Sequence, residues 1–452
     1  MATLKEIFPS TTSFENDALH IARCDVRALA KEFGTPLFVM DEADLVARAT
    51  RWREVLAESF GKSAGTVYYA AKAFISIEVT KILDHVGLGV DVCTGGELAV
   101  AQAANFPGDR IELHGNNKSE DEIQAAISYG VRTIVLDSLQ EIERVARIAN
   151  GAKKRQRVMI RLTPGVEAHT HEAIKTAHED VKFGFSIASG AAREAVLRVR
   201  SEASLELVGV HAHIGSQIFV ADGFDTSAQR LIGFLTQYRN EFGSELPELN
   251  LGGGYGIAYI ESDNPISAQE MLSRLHSIVE RECSQNNLAI PKVSIEPGRA
   301  IVGPTMVTLY EVGTTKVVKD GAGQVRNYIS VDGGMSDNIR PGLYGAEYSI
   351  LLANRKSSAG AIDSRVVGKH CETGDIVIND VKLPSDIRPG DILAVPATGA
   401  YGRSMASNYN FLGRPPVVLL SDGTARTIVR RENQADLLAL DVEEAPRVIG
   451  EL

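Results

Sequence analysis

TVYYAAKAFISIEVTKILDHVGLGVDVCTGGELAVA, residues 66–101, carries the pattern that decides the fold. Two short runs in it, TVYYAAKA (66–73) and GLGVDVC (87–93), are apolar on both faces, as strands buried in a parallel sheet read. Between them an amphipathic stretch stops at Gly87, which supplies the left-handed conformation of a helix C-cap. After them, Thr94-Gly95-Gly96-Glu97 has the spacing of a capping box and opens the next helix.

The same unit recurs outward along the chain. RIELHG (110–115), TIVLDS (133–138), RVMIRLTP (157–164), VGVHAHIG (208–215), LNLGGGYG (249–256) and KVSIEPG (292–298) are further runs of this kind. The first five begin 21 to 24 residues apart, the length of one strand plus one helix. Ser119 with Glu122 and Ser138 with Glu141 repeat the capping box, and Gly130 repeats the C-cap. Eight strands with helices between them predict a (β/α)8 barrel; an open doubly wound sheet shares the pattern, and strand count favours the barrel. The polar insert 165–186, after the fifth strand, reads as a lid loop.

Beyond residue 303 the texture changes. MVTLYEV, VRNYISVDGG, SRVVGKHC, GDIVIND, DILAVPATG, PPVVLLSDG and TARTIVRR are short strand-like runs punctuated by Asp-Gly and Gly turns. They predict a second, all-β domain, which PLFVMD (36–41) joins. The expected division is a barrel at 42–303 inside a split β-domain made of 1–41 and 304–452.

Composition narrows the function. Of 452 residues, 44% are hydrophobic and 23% charged, ordinary for a globular chain with a large core. A net charge of −11 without a Lys/Arg run argues against nucleic-acid or anionic-membrane partners. Cys24, Cys93, Cys283 and Cys371 lie far apart with no CxxC pair, which fits a reducing compartment rather than a disulfide framework. The polar first twenty residues lack the apolar core of a signal peptide, and no run of 18 apolar residues exists. A cytoplasmic enzyme is the expectation.

In a barrel the reactive groups sit at the C-terminal strand ends, and the unusual polar residues cluster there. Lys72 ends strand one, Asp91 strand two, His211 and His213 strand six, Gly252-Gly253-Gly254 strand seven, and Glu296 with Arg299 strand eight. A desolvated lysine should have a lowered pKa, as a Schiff-base nucleophile needs; a surface lysine that snorkels is the plainer alternative. Three glycines let backbone N–H groups approach an anion. The dinucleotide pattern GxGxxG fails because Ile257 takes its last position, and the Walker pattern fails because Leu56 stands where its first glycine should. The HAH pair could suggest a metal, yet only His276 and His370 follow, and His276 falls in a predicted helix, so no metal is predicted. One imidazole better serves as a stacking partner for a planar cofactor, the other as a core histidine. Glu296 beside a pyridine nitrogen would keep that ring protonated, an electron sink for a carbanion. The plainer alternative is a structural pair with Arg299.

Together, YYAAKAF (68–74), HAHIGSQ (211–217), LGGGYG (251–256), EPGRAIV (296–302), DGGMSDNIRPGLYGA (332–346), CETGD (371–375) and GAYGRSMASNYN (399–410) carry a resemblance. They resemble the pyridoxal-phosphate decarboxylases built on an alanine-racemase-like barrel plus a β-domain, and within these the diaminopimelate decarboxylase family, over roughly residues 20 to 440. The resemblance implies pyridoxal 5′-phosphate as cofactor, with Lys72 as its covalent anchor and His213 stacked on its ring. Ser216, Gly253, Gly254 and the backbone of Glu296, Pro297, Gly298 and Arg299 would cradle its phosphate. Glu296 would face the ring nitrogen, and Asp91 would lie near the lysine. Arg299, Arg340 and Tyr344 match contacts to the substrate carboxylate. Glu372 matches a contact to the distal amine, and Tyr401 touches both cofactor and substrate. Cys371 matches the acid that reprotonates the carbanion. In the family Cys371 and Glu372 come from a partner subunit, which implies a homodimer with shared sites. The implied reaction converts meso-2,6-diaminopimelate to L-lysine and CO2. A relative acting on carboxynorspermidine or ornithine, or a non-catalytic regulatory homologue, is the alternative.

Overall fold

The computed structural model describes residues 3–165, 182–319, 321, 323 and 325–442; the central part of the expected lid, 166–181, lies outside the described residues. Eight parallel strands close into a barrel: β1 (Ala64–Ala70), β2 (Gly89–Val92), β3 (Ile111–Leu113), β4 (Thr133–Leu136), β5 (Gln156–Thr163), β6 (Leu205–His211), β7 (Glu248–Asn250) and β8 (Lys292–Ile295). Each pairs with its successor, β8 pairs back with β1, and β4 with β5 completes the ring. An open sheet would leave two unpaired edges, so the doubly wound alternative is excluded. The strands are short because closure buries both of their faces: all four residues of β2 and of β4 are buried. Helices follow the strands, and Glu42–Phe60, which precedes β1, packs against β1 and against the helix Ala268–Gln285.

Glycine stops two of these helices as expected: Gly87 and Gly130 both cap in the left-handed region, φ 85° and 84°. The capping boxes behave less uniformly. Ser119 and Glu122 form the reciprocal pair. Thr94 and Ser138 each accept from the N3 amide, but the N3 carboxylates reach one residue further back: Glu97 takes the Cys93 amide at 2.6 Å and Glu141 the Asp137 amide at 2.8 Å. Both acids thereby tie the strand-end residue, instead of the cap, to the helix.

The second domain is sheet-rich. The long strand β9 (Met306–Lys319) crosses it: its first half lies between Leu37–Asp41 and Ile392–Val395, and its second half pairs with β10 (Val325–Val331). Ala361–Val367 and Ile376–Pro384 extend one side; Val417–Ser421, parallel to Leu37–Asp41, and Thr424–Val429 extend the other. The N-terminal segment adds a small three-stranded sheet that the apolar pattern did not announce. The domains meet at the end of β1. The Tyr401 amide and the Ser404 hydroxyl both donate to the Ala73 carbonyl, at 2.9 Å each. Tyr401 is held at φ 60°, an uncommon conformation for a side-chain-bearing residue. Among the described residues no helix is long and apolar enough to cross a membrane.

Candidate active site

A cavity of about 650 Å³ opens at the C-terminal mouth of the barrel, against the sheet-rich domain. Lys72, on the single turn after β1, reaches it together with His213, Ser216, Gly254, Glu296, Gly298, Arg299, Arg340, Tyr344 and Tyr401. These sequence-predicted residues come from barrel strand ends and from a helix and a turn of the sheet-rich domain, scattered over more than 300 positions. Asp91, Gly253 and Pro297 are not on its wall. Cys371 and Glu372 are exposed and lie outside the cavity, on the loop after Ala361–Val367.

The glycines permit close contact between loops. A Cβ on Gly253 would stand 2.2 Å from the Glu296 carbonyl oxygen, and one on Gly254, at φ 115°, would stand 2.4 Å from the Gly215 carbonyl. Gln217, which the motif search did not single out, locks the same loops: its side-chain amide donates to the Ile257 carbonyl at 2.7 Å and accepts from the Ile257 amide at 3.2 Å. His213 Nδ1 accepts from the Gly253 amide at 3.2 Å. Burial, with Lys72 and Arg161 nearby, holds His213 well below its ordinary pKa, so its ring is neutral.

Lys72 departs from expectation. Burial does pull its pKa down, but the Asp91 carboxylate, with Cys93, Tyr401 and Glu296, outweighs burial and holds the ammonium above its ordinary value. The sequence argument saw only the apolar run around Lys72; the compensating charges arrive from other elements. Asp91 pays the counterpart, pushed up to about 8 by burial and Glu296 against the pull of Lys72.

Glu296 and Arg299 share a motif but not a bond. Arg299 donates to the Tyr259 hydroxyl and, at 2.8 Å, to Ser216 Oγ, with its guanidinium 4.7 Å from the Tyr401 ring centroid. Arg340 donates to the Tyr348 hydroxyl and lies 4.7 Å from the Tyr259 ring centroid. Tyr259 and Tyr348 were not read from the sequence, and they fix both arginines. Glu296 turns to His211, Nε2 to Oε1 3.0 Å, and to His114, 3.4 Å. His114 comes from an upstream strand end, where the residues after His211 give no sign of it, and the ligand atoms of His114, His211 and Glu296 lie within 4.8 Å of one another.

A half-buried lysine, a neutral histidine, a buried carboxylate and a glycine-lined turn around one cavity fit an aldehyde-bearing pyridine phosphate, and define a pyridoxal-dependent decarboxylase on an eight-stranded barrel. The pyridoxal-binding domain model of the pyridoxal-dependent decarboxylases matches residues 42–303. Diaminopimelate decarboxylase of Mycobacterium tuberculosis is 53% identical over 437 residues, 96% of this chain and 97% of that one. The Bacillus subtilis enzyme of the same name is 42% identical over 96% of this chain and 98% of its own. The crystal structure of diaminopimelate decarboxylase from M. jannaschii in co-complex with L-lysine superposes with a TM-score of 0.89 at 31% identity, covering 96% of this chain and 98% of that one. The chain belongs to the diaminopimelate decarboxylase family, and its cofactor is pyridoxal 5′-phosphate.

Proposed function

We propose that the chain decarboxylates meso-2,6-diaminopimelate at its D-configured centre, giving L-lysine and CO2. The observation that carries this reading is the union, in one cavity, of Lys72 and Glu296 with two buried guanidinium groups, Arg299 and Arg340. Bound there, the cofactor supplies a covalent seat for the substrate amine and a sink for the electrons left by CO2. Lys72 would anchor it, with Asp91 holding the amine's charge, while His213 packs on its ring. Ser216, Gly253, Gly254 and the turn from Glu296 to Arg299 would receive its phosphate. Glu296 would face the ring nitrogen. Arg299, Arg340 and Tyr344 would hold a substrate carboxylate, for which a guanidinium offers paired donors. Tyr401 would touch cofactor and substrate alike. Cys371 would return a proton to the reacting carbon, and Glu372 would bind the distal amine.

Those last two roles would fall to a second copy of the chain. Cys371 and Glu372 stand exposed and off the cavity wall, which favours their supply from a second copy in a homodimer with shared sites. Exposed apolar groups beside them support it: Phe411 is 67% exposed next to Asn410, whose side chain accepts from the Cys371 amide, and Leu343 is 51% exposed on the short helix Arg340–Tyr344, which packs by Gly374. The pyridoxal-binding barrel would span 42–303 and the β-domain the two flanking segments. Four free cysteines suit the cytoplasm.

The test is a substrate panel on the loaded enzyme. Diaminopimelate should release CO2 at least tenfold faster, in kcat/KM, than ornithine or carboxynorspermidine, since buried groups left unpaired by a wrong substrate cost about 1–3 kcal/mol each. Faster turnover of either rival overturns the substrate assignment. Lys72→Ala should lose both cofactor absorbance and turnover; a fully active variant would remove the mechanism.

A further inference from the structure

Two buried imidazoles that the reaction above does not use converge on one oxygen of Glu296. His211 Nε2 lies 3.0 Å and His114 Nε2 3.4 Å from Oε1, and the two rings meet edge to face with centroids 4.8 Å apart. The identity of the donor atom follows for His114. Its Nε2 also stands 3.5 Å from Glu112 Oε2 and 3.8 Å from Asp91 Oδ1. A nitrogen lone pair facing the charged Glu296 carboxylate would be repelled by it, so Nε2 carries the hydrogen. Glu112 is itself fixed, accepting from Asn250 Nδ2 at 2.9 Å.

We propose that His114 and His211 are positioning residues that clamp Glu296 through Oε1 in its carboxylate form, so that the proton at the cofactor's ring nitrogen stays on nitrogen. The inference rests on the placement of Glu296 opposite that nitrogen. A proton shared between a pyridine nitrogen and a carboxylate resides on the more basic partner. Two N–H dipoles within 3.4 Å of Oε1, close but at angles outside those of a hydrogen bond, make the carboxylate the weaker base and leave Oε2 for the ring. Burial alone favours the neutral acid; His211 and His114, with Lys72, outweigh it and hold Glu296 well below the usual carboxylate range. Repulsion among the three acids falls on Asp91 and Glu112, whose pKa values burial and Glu296 push up. His114 acts on Glu296 as a neutral dipole, since burial keeps its own pKa well below the ordinary value.

The test reads the ring nitrogen directly. Holoenzyme loaded with pyridoxal phosphate labelled with ¹⁵N in the ring should show the protonated resonance in the wild type. In His114→Phe/His211→Phe the resonance should move downfield to the unprotonated position, and in His211→Gln, which keeps an N–H donor, it should stay. A resonance unmoved in the double variant but moved in Glu296→Gln overturns the clamp. A resonance unmoved in Glu296→Gln as well overturns the placement of Glu296, and the clamp with it. A second measurement needs no variant: ¹⁵N-histidine spectra of wild-type apoprotein should show both rings protonated at Nε2, and an Nε2 without hydrogen on either ring overturns the proposal.

Discussion

A methyl group on Gly253 has nowhere to go: its carbon would stand 2.2 Å from a main-chain oxygen of the neighbouring strand end, which a rotamer change cannot relieve. Gly253→Ala should therefore cost about 1–3 kcal/mol of stability through forced backbone movement, and it should weaken cofactor retention because the displaced Glu296 belongs to the same wall. Urea unfolding of the apoprotein and cofactor titration read the two effects separately. Asp91 supplies a second prediction. Its carboxylate is the largest single force holding the Lys72 ammonium up against burial. In Asp91→Asn burial wins, so the Lys72 pKa should fall below that of the wild type, measured by NMR titration of the lysine Nζ in apoprotein above pH 8, where Asp91 is ionised. This is also where sequence reading reaches its limit. Lys72, Glu296 and the glycines announce themselves by standing at the ends of apolar runs. The sign of the Lys72 shift does not, because it depends on which charges other strands bring near. His114 stayed unread for the same reason: one histidine ending RIELHG has no motif, and only barrel closure carries it to His211.

At the scale of elements, local chemistry predicted existence well and partnership less well. Each of the eight apolar runs is a strand, since burial on both faces leaves a signal that spacing cannot hide. The capping boxes show what local spacing omits, for Glu97 and Glu141 each bypass the cap they should reciprocate. Glu122 does close its box and reaches further: its carboxylate accepts from the Ser119 amide and, on the preceding barrel loop, from the Gly95 amide, at 2.8 Å each. Ser119→Ala should cost about 1 kcal/mol, the usual worth of an N-cap. The Glu122 contribution should depend on pH. Burial pushes its pKa up, but the Ser119 and Gly95 amides outweigh burial and hold it below the ordinary value. A depressed folded-state pKa adds stability above the unfolded pKa and loses it as pH falls through the folded one. The stability gap between wild type and Glu122→Gln should thus be full at pH 7 and shrink below about pH 4.5, as urea titrations at pH 7 and pH 3.5 would register. A gap that stays constant would mean the carboxylate's charge is irrelevant to the contact.

For the whole molecule, the decisive arrangement is the division of labour between domains. The barrel brings Lys72, His213 and Glu296; the sheet-rich domain lays Tyr401 and Arg340 over the same cavity and carries Cys371 and Glu372 outward. Turn chemistry and strand runs made the second domain legible, whereas the N-terminal three-stranded sheet gave no apolar period long enough to read. If Cys371 acts across a twofold interface, defects in the two domains must complement. Lys72→Ala and Cys371→Ala should each be nearly inactive alone. After subunit exchange in an equal mixture, about half of the dimers are mixed, and each mixed dimer holds one site with both defects and one with neither. Activity should then recover to about a quarter of the wild-type value, since a C2 dimer has two sites and a mixed one keeps a single site whole. Measuring CO2 release before and after exchange decides the matter. Recovery fails if Cys371 serves its own chain, because every site would then carry one of the two lesions whatever the pairing.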